Sequence, residues 1–167
     1  EINMNKILRD RELSFHVSEI YSRPRVTRMA GKMGLVAGMA LDLTTIDEDD
    51  GMPWDFTKQD NRDKAENIIR NKKAMLLIGS PMCSAFSQLQ NWNWNKMTDE
   101  RRNKIIQDGT SHLRFCMHLY KIQMENGMYF LHEHPDQATS WEDPNCEKDD
   151  QRQENIYSGI LLFVLIS

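Results

Sequence analysis

Short β-prone runs alternate with stretches of helical periodicity along this chain. Val17 to Tyr21 is the first run, and Ser22-Arg23-Pro24 after it supplies the small polar residue and the proline that open helices. Val26, Met29, Ala30 and Met33 then recur at helical spacing, with Gly34 placed to cap the helix at its carboxyl end. A second strand begins at Met39 and ends at Asp42. Thr44 to Phe56 is acidic and turn-rich, with Asp49-Asp50-Gly51 and Pro53 as breakers, and reads as a surface loop. Thr57 is placed to cap the next helix with Asp60 three residues on, and Ala65, Ile68, Ile69 and Lys72 share one of its faces.

Ala74 to Ile78 is apolar throughout, the pattern of a parallel strand buried on both faces, and Gly79-Ser80-Pro81 ends it. A polar loop from Gln90 to Met97 follows. Thr98 then caps a long helix with Asp99 and Glu100 in its first turn, and Ile105, Ile106, Leu113, Cys116, Leu119 and Tyr120 supply its buried face. Gly127 stops that helix, and Met128 to Leu131 forms a strand that runs into His132-Glu133-His134-Pro135. This alternation predicts an α/β domain on an open, mostly parallel sheet with helices on both faces. Ligands of such sheets sit outside the carboxyl ends of the strands, where Asp42, Cys83 and Glu133 all fall.

Composition refines the picture. With 167 residues, 40% of them hydrophobic and 28% charged, the chain has the length of one domain and the apolar content to build its core. Residues 1–16 read as an N-terminal extension, 17–141 as the α/β domain, and 142–167 as a linker with an apolar tail. The eleven residues from Ile156 to Ile166 fall short of the roughly 20 a membrane helix needs, so a buried strand or core helix is expected and no membrane span. The stop directly after this run is what a fragment or a shortened relative of a longer protein would show. A net charge of −4 offers nucleic acid no general field, so any contact with DNA or RNA is expected at a local site. The basic groups Arg23, Arg25, Arg28 and Lys32, and Arg101, Arg102 and Lys104, read as solvated surface. Cys83, Cys116 and Cys146 lack the Cys-x-x-Cys pattern of a zinc site, and no apolar leader occupies residues 1–11. An intracellular setting, nucleus or cytoplasm, is the expectation. The eleven methionines fit an adaptable core or a contact surface.

Cys83 lies on the loop after a buried strand, where a thiol is open to ligand while its backbone is held; as a thiolate it would be a nucleophile. The string Gly79-Ser80-Pro81-Met82-Cys83-Ser84-Ala85-Phe86-Ser87 resembles the Gly-Ser-Pro-Pro-Cys-Gln-x-Phe-Ser motif of DNA cytosine-5 methyltransferases, fitting seven of nine positions with the free one counted. Phe130-Leu131-His132-Glu133-His134-Pro135 is similar to that family's segment ending Glu-Asn-Val. The resemblance spans roughly Ser18 to Trp141 and implies a three-layer Rossmann-like fold. It implies that Cys83 attacks C6 of cytosine, that Glu133 contacts N3, and that Pro81, Ser84, Phe86 and Ser87 line the substrate side. S-adenosylmethionine is the implied cofactor, with Ser22, Asp42 and Asp55 beside it: Asp42 on the ribose hydroxyls and Asp55, in Trp54-Asp55-Phe56, on the adenine amino group. The chain also looks similar to methyltransferase-like segments of retroelement polyproteins.

Departures from the motifs define a second reading. Glu19-Ile20-Tyr21-Ser22-Arg23-Pro24-Arg25 stands where the family has a glycine-rich cofactor loop, Met82 stands for proline, Ser84 for glutamine, and His134-Pro135 for Asn-Val. The family's later Gln-x-Arg-x-Arg segment and target-recognition region do not appear. A non-catalytic methyltransferase-like module, serving as a binding or structural subunit with a partner chain, is therefore the alternative. His132 and His134 fall on one side of an extended strand, but without the spacing of a helical His-Glu-x-x-His site, so no metal is expected; His112 and His118 belong to the long helix. Trp92 and Trp94, on the loop after Cys83, could stack on a base, anchor a protein interface or pack against the domain edge.

Overall fold

The computed structural model describes residues 3–87, 91–135, 138–142 and 161–166. Five strands, β1 (Phe15–Ile20), β2 (Ala37–Leu41), β3 (Ala74–Gly79), β4 (Tyr129–Pro135) and β5 (Leu161–Ile166), form one sheet in the order β2-β1-β3-β4-β5. Every neighbouring pair is parallel. The helices are α1 (Met4–Asp10), α2 (Val26–Lys32), α3 (Gln59–Asn71), α4 (Asn91–Trp94) and α5 (Asp99–Glu125). The α/β class and the open parallel sheet expected from the alternating pattern are thus observed.

Two apolar layers sandwich the sheet. On one face Ile20, Leu77 and Phe130 pack under Ala65 and Ile69 of α3 and Leu113, Cys116, Leu119 and Tyr120 of α5. On the other, Val17, Ile78, Leu76 and Leu131 pack under Ala30 of α2 and Leu35. α1 closes the amino end, where Leu8 is buried with Leu13 and Met128, so residues read as an extension contribute to the core. The apolar tail supplies β5, in register with β4 from Phe130↔Leu161 to Pro135↔Ile166.

Both glycine stops act as expected. After α2, Gly34 takes φ +78°, its N–H bonds Gly31 O and that of Leu35 bonds Ala30 O; after α5, Gly127 takes φ +68° with the same pair of bonds from Gly127 and Met128. Thr98 caps α5, accepting from Arg101 N at 3.4 Å. Thr57, by contrast, does not cap α3. The N-cap is Lys58, and Thr57 instead gives its backbone N–H and hydroxyl to Asp55 Oδ1 at 3.0 and 2.6 Å. The Ser22-Arg23-Pro24 turn precedes α2 without capping it, since Arg25 is its N-cap and contributes no side-chain bond. The polar stretch from Gln90 to Met97 contains one helical turn, α4.

α5 is 27 residues long, roughly 40 Å, against strands of five to seven residues, and its first buried residue is Gly109, so Ile105 is only half-buried and Ile106 is exposed, contrary to the buried face expected of both. Because it leads directly into β4, it runs antiparallel to the strands and its first turns stand beyond their carboxyl ends.

Candidate functional site

From β1 the connection through α2 leads to β2 on one side, while β3 lies on the other, so the strand order reverses between β1 and β3. In open α/β sheets a ligand crevice forms outside the carboxyl ends of the two strands at such a reversal. Across that edge the chain presents Asp42 after β2, Tyr21 and Ser22 after β1, Ser80 to Cys83 after β3, and Glu133 on β4. From β2 to β4 this is three strand spacings, about 14 Å.

The loop after β3 is tied to its neighbours at both ends. Ser80 N donates to Ile20 O at 3.1 Å, and its hydroxyl donates to Glu133 Oε2 at 2.7 Å. Phe86 sets its ring 6.0 Å from that of His134, and its carbonyl accepts from Thr139 N at 3.1 Å. Between these anchors Pro81 is buried, Cys83 half-buried and Ser84 exposed, with a turn closed by Phe86 N donating to Cys83 O at 2.9 Å. Ser87, half-buried, follows directly. The structure therefore brings Cys83 and Glu133 onto adjacent strand ends of one edge. β4 alternates, with Phe130, His132 and His134 turned into the α5 layer, so Leu131 and Glu133 face the α2 side.

Asp42 is half-exposed, with Oδ1 accepting the Thr44 N–H and hydroxyl at 2.9 and 2.6 Å. Asp55 is likewise half-exposed, and its bonds from Thr57, with the nearby Lys58 and His112, hold its carboxyl below the usual range. Ser22 is buried and its hydroxyl is directed at Glu19 Oε1, 3.0 Å away, and at Arg23 O.

Three residues that periodicity did not single out shape this edge. Glu19 is 1% exposed, and its Oε2 accepts from Thr27 N at 2.8 Å and Thr27 Oγ1 at 2.6 Å, so a carboxylate fills the start of α2. In dinucleotide-binding sheets the pyrophosphate takes the corresponding place, which the Glu19 side chain fills here. Tyr21, directly after β1, takes φ +56°, a left-handed conformation that costs a non-glycine residue energy. Its hydroxyl shares a 3.0 Å hydrogen bond with His112 Nδ1, and its ring lies 4.9 Å from that of Phe56, which brings the Asp55-Phe56 loop to the same edge. Burial, reinforced by Cys116 and opposed by Arg62, raises the Tyr21 phenol far above its ordinary value, and burial with Arg62 lowers His112, so the pair is neutral near pH 7. The signal for Tyr21 and Glu19 was their position at the end of the first strand; His112, 91 residues from its partner, had none.

His132 and His134 are 0% and 1% exposed, with rings 5.2 Å apart. Their Nδ1 atoms are held by Tyr120 Oη at 3.0 Å and by Ser140 Oγ. Among the described residues no group of three His, Cys, Asp or Glu side chains is placed to hold a metal ion, and no helix is long and apolar enough to cross a membrane. Of the two tryptophans after Cys83, Trp94 is half-buried under the Arg102 guanidinium, 5.5 Å from its ring centre, while the side chain of Trp92 and all of Cys146 lie outside the described residues.

No protein family, curated protein or solved structure is found to match the chain.

Proposed function

We propose that the carboxyl edge is a cytosine-directed methyl-transfer site of the DNA cytosine-5 methyltransferase type. The observation that carries this reading is the Ser80–Glu133 hydrogen bond, because it couples the loop bearing Cys83 to the glutamate that would support the ring. In this mechanism the Cys83 thiolate adds to C6 of a cytosine held outside its stack, forming an S–C6 bond and pushing electron density onto the ring. In its protonated form Glu133, with Oε2 held by Ser80, donates the Oε1 proton to N3 as that density arrives and takes it back when the adduct collapses. S-adenosylmethionine, when bound, would supply the electrophilic methyl group to C5 and leave as S-adenosylhomocysteine. Once C5 carries the methyl, loss of the C5 proton to solvent and breakage of the S–C6 bond return Cys83 to its thiolate. The residues fit that cofactor in its lack of phosphate, given Glu19 at the start of α2, with Asp42 for the ribose and Asp55 for the adenine. Ser22 serves as a strut for Glu19 rather than as a ligand contact.

A different observation favours a second reading, a non-catalytic module in a larger assembly. The first turn after β1 carries Arg23 and Pro24 where close cofactor approach uses glycine, and Glu19, Ser22 and Thr27 satisfy one another. Calorimetric titration with S-adenosylmethionine and S-adenosylhomocysteine separates the two. Micromolar binding, followed by a covalent adduct with a 5-fluorocytosine oligonucleotide that Cys83→Ala abolishes, supports the enzyme. Absence of binding by a folded chain supports the module.

A further inference from the structure

Nearly all the large apolar side chains exposed among the described residues lie in two places. Val26, Met29, Met33 and Val36 stand along α2 and the turn after it, from 40% to 73% exposed. Leu43, Ile46 and Met52 stand on the loop between β2 and α3, from 51% to 64% exposed. Only Met82 and Ile106 lie elsewhere.

The two patches carry opposite charge. From Ile20 to Leu41 the chain has Arg23, Arg25, Arg28 and Lys32 and no acidic residue; all four are exposed, and none forms an ion pair with a described residue. On the loop, Glu48 and Asp50 are exposed without a described cationic partner, while Asp47 and Asp49 are held by Lys64. Between the patches runs β2, an edge strand of sequence Ala37-Gly38-Met39-Ala40-Leu41. It contains neither the charge nor the proline that commonly guards an edge against pairing. Thr45 shields one point of it, donating its hydroxyl to Ala40 O at 2.8 Å.

Direction along this flank decides how the patches can meet. α2 runs from the carboxyl edge back to the amino edge, so Lys32, Met33 and Val36 lie at the start of β2 and the acidic loop lies at its end. A two-fold axis perpendicular to β2 sets the start of one copy's strand beside the end of the other's. Each acidic, apolar loop then faces the basic, apolar end of its partner's α2, and the contact occurs twice. We propose that this flank is a homodimer interface, in which the β2–α3 loop of each copy docks against α2 of the other. The apolar side chains supply the dry centre, and the charges set the register. An arrangement with α2 against α2 would set cation against cation.

Sedimentation equilibrium of the full chain tests this. The expected result is a concentration-dependent dimer that weakens as salt rises. Arg28→Glu with Lys32→Glu, and separately Glu48→Lys with Asp50→Lys, should each weaken self-association roughly tenfold or more. Because the first variant carries acidic groups on both patches and the second basic groups on both, an equimolar mixture should recover a heterodimer of wild-type strength. A wild-type chain that stays monomeric up to roughly 1 mM, a dimer indifferent to both reversals, or a mixture that does not recover would each overturn the proposal.

Discussion

Ser80 and Glu133, 53 residues apart in sequence, meet across β3 and β4 through a 2.7 Å hydrogen bond from Ser80 Oγ to Glu133 Oε2. Removing it tests how far the loop and the glutamate act together. Ser80→Ala should cost about 1 kcal/mol in urea unfolding, and should lower the rate of any Cys83 adduct with 5-fluorocytosine DNA. An adduct rate unchanged at that stability loss would show that Glu133 needs no support from Ser80.

The buried histidine pair gives the chain an acid-sensitive core. Burial, with His134 adding, lowers His132 to about 3, and burial, opposed by the Pro81 carbonyl, lowers His134 to about 4. Both folded values lie below the roughly 6.5 of an unfolded histidine, so the unfolded chain binds the extra protons. Stability is therefore full above about pH 6.5 and falls as the pH drops towards about 4, by up to about 2.7 kcal/mol per pH unit for two protons. His134→Phe should remove about half of that slope, whatever it costs at pH 7. Urea midpoints between pH 7 and pH 4.5 that decline equally in both chains would sink this account.

Two glycines should respond in opposite ways to alanine. A Cβ on Gly79 runs into the Tyr120 hydroxyl and the Cys116 sulfur beneath the sheet, so Gly79→Ala should destabilise by roughly 1–3 kcal/mol. Gly31, exposed on α2, has nothing within 4 Å of such a Cβ, and Gly31→Ala should stabilise by about 0.5–1 kcal/mol. Thermal melts of the two variants check both signs.

Glu19→Ala strips Thr27 N–H and Oγ1 of their acceptor in a buried site, a loss of about 1–3 kcal/mol. Glu19→Gln should retain most of the stability, since an amide oxygen can still accept from Thr27 while Ser22 turns from donor to acceptor. Equal melting temperatures for the Ala and Gln variants would mean that the cluster contributes little.

What could be read from the sequence was local. The continuous apolar run of β3, the helical spacing in α2 and α5, and the glycines at 34 and 127 each express a preference of a few neighbouring residues, and each appears where expected. Thr57 misled because two local solutions compete for its hydroxyl, and the Asx-type turn with Asp55 prevails over the helix cap. At the carboxyl edge, the placement of Cys83 after β3 and of Glu133 on β4 was legible from the order of strands and helices. The partnerships that hold their surroundings, Ser80 with Glu133, Tyr21 with His112 and Tyr120 with His132, were not, because they arise only when β1, β3, β4 and α5 come together.

The length of α5 makes the mouth of the crevice lopsided. Gly109 lies against Ala85 and Phe86 of the Cys83 loop, and the ten residues before it, 99–108, rise beyond the sheet as a parapet roughly 15 Å tall. For the site proposed above, the consequence is one of approach: a long polymer reaching Cys83 would have to lie alongside this parapet instead of across it.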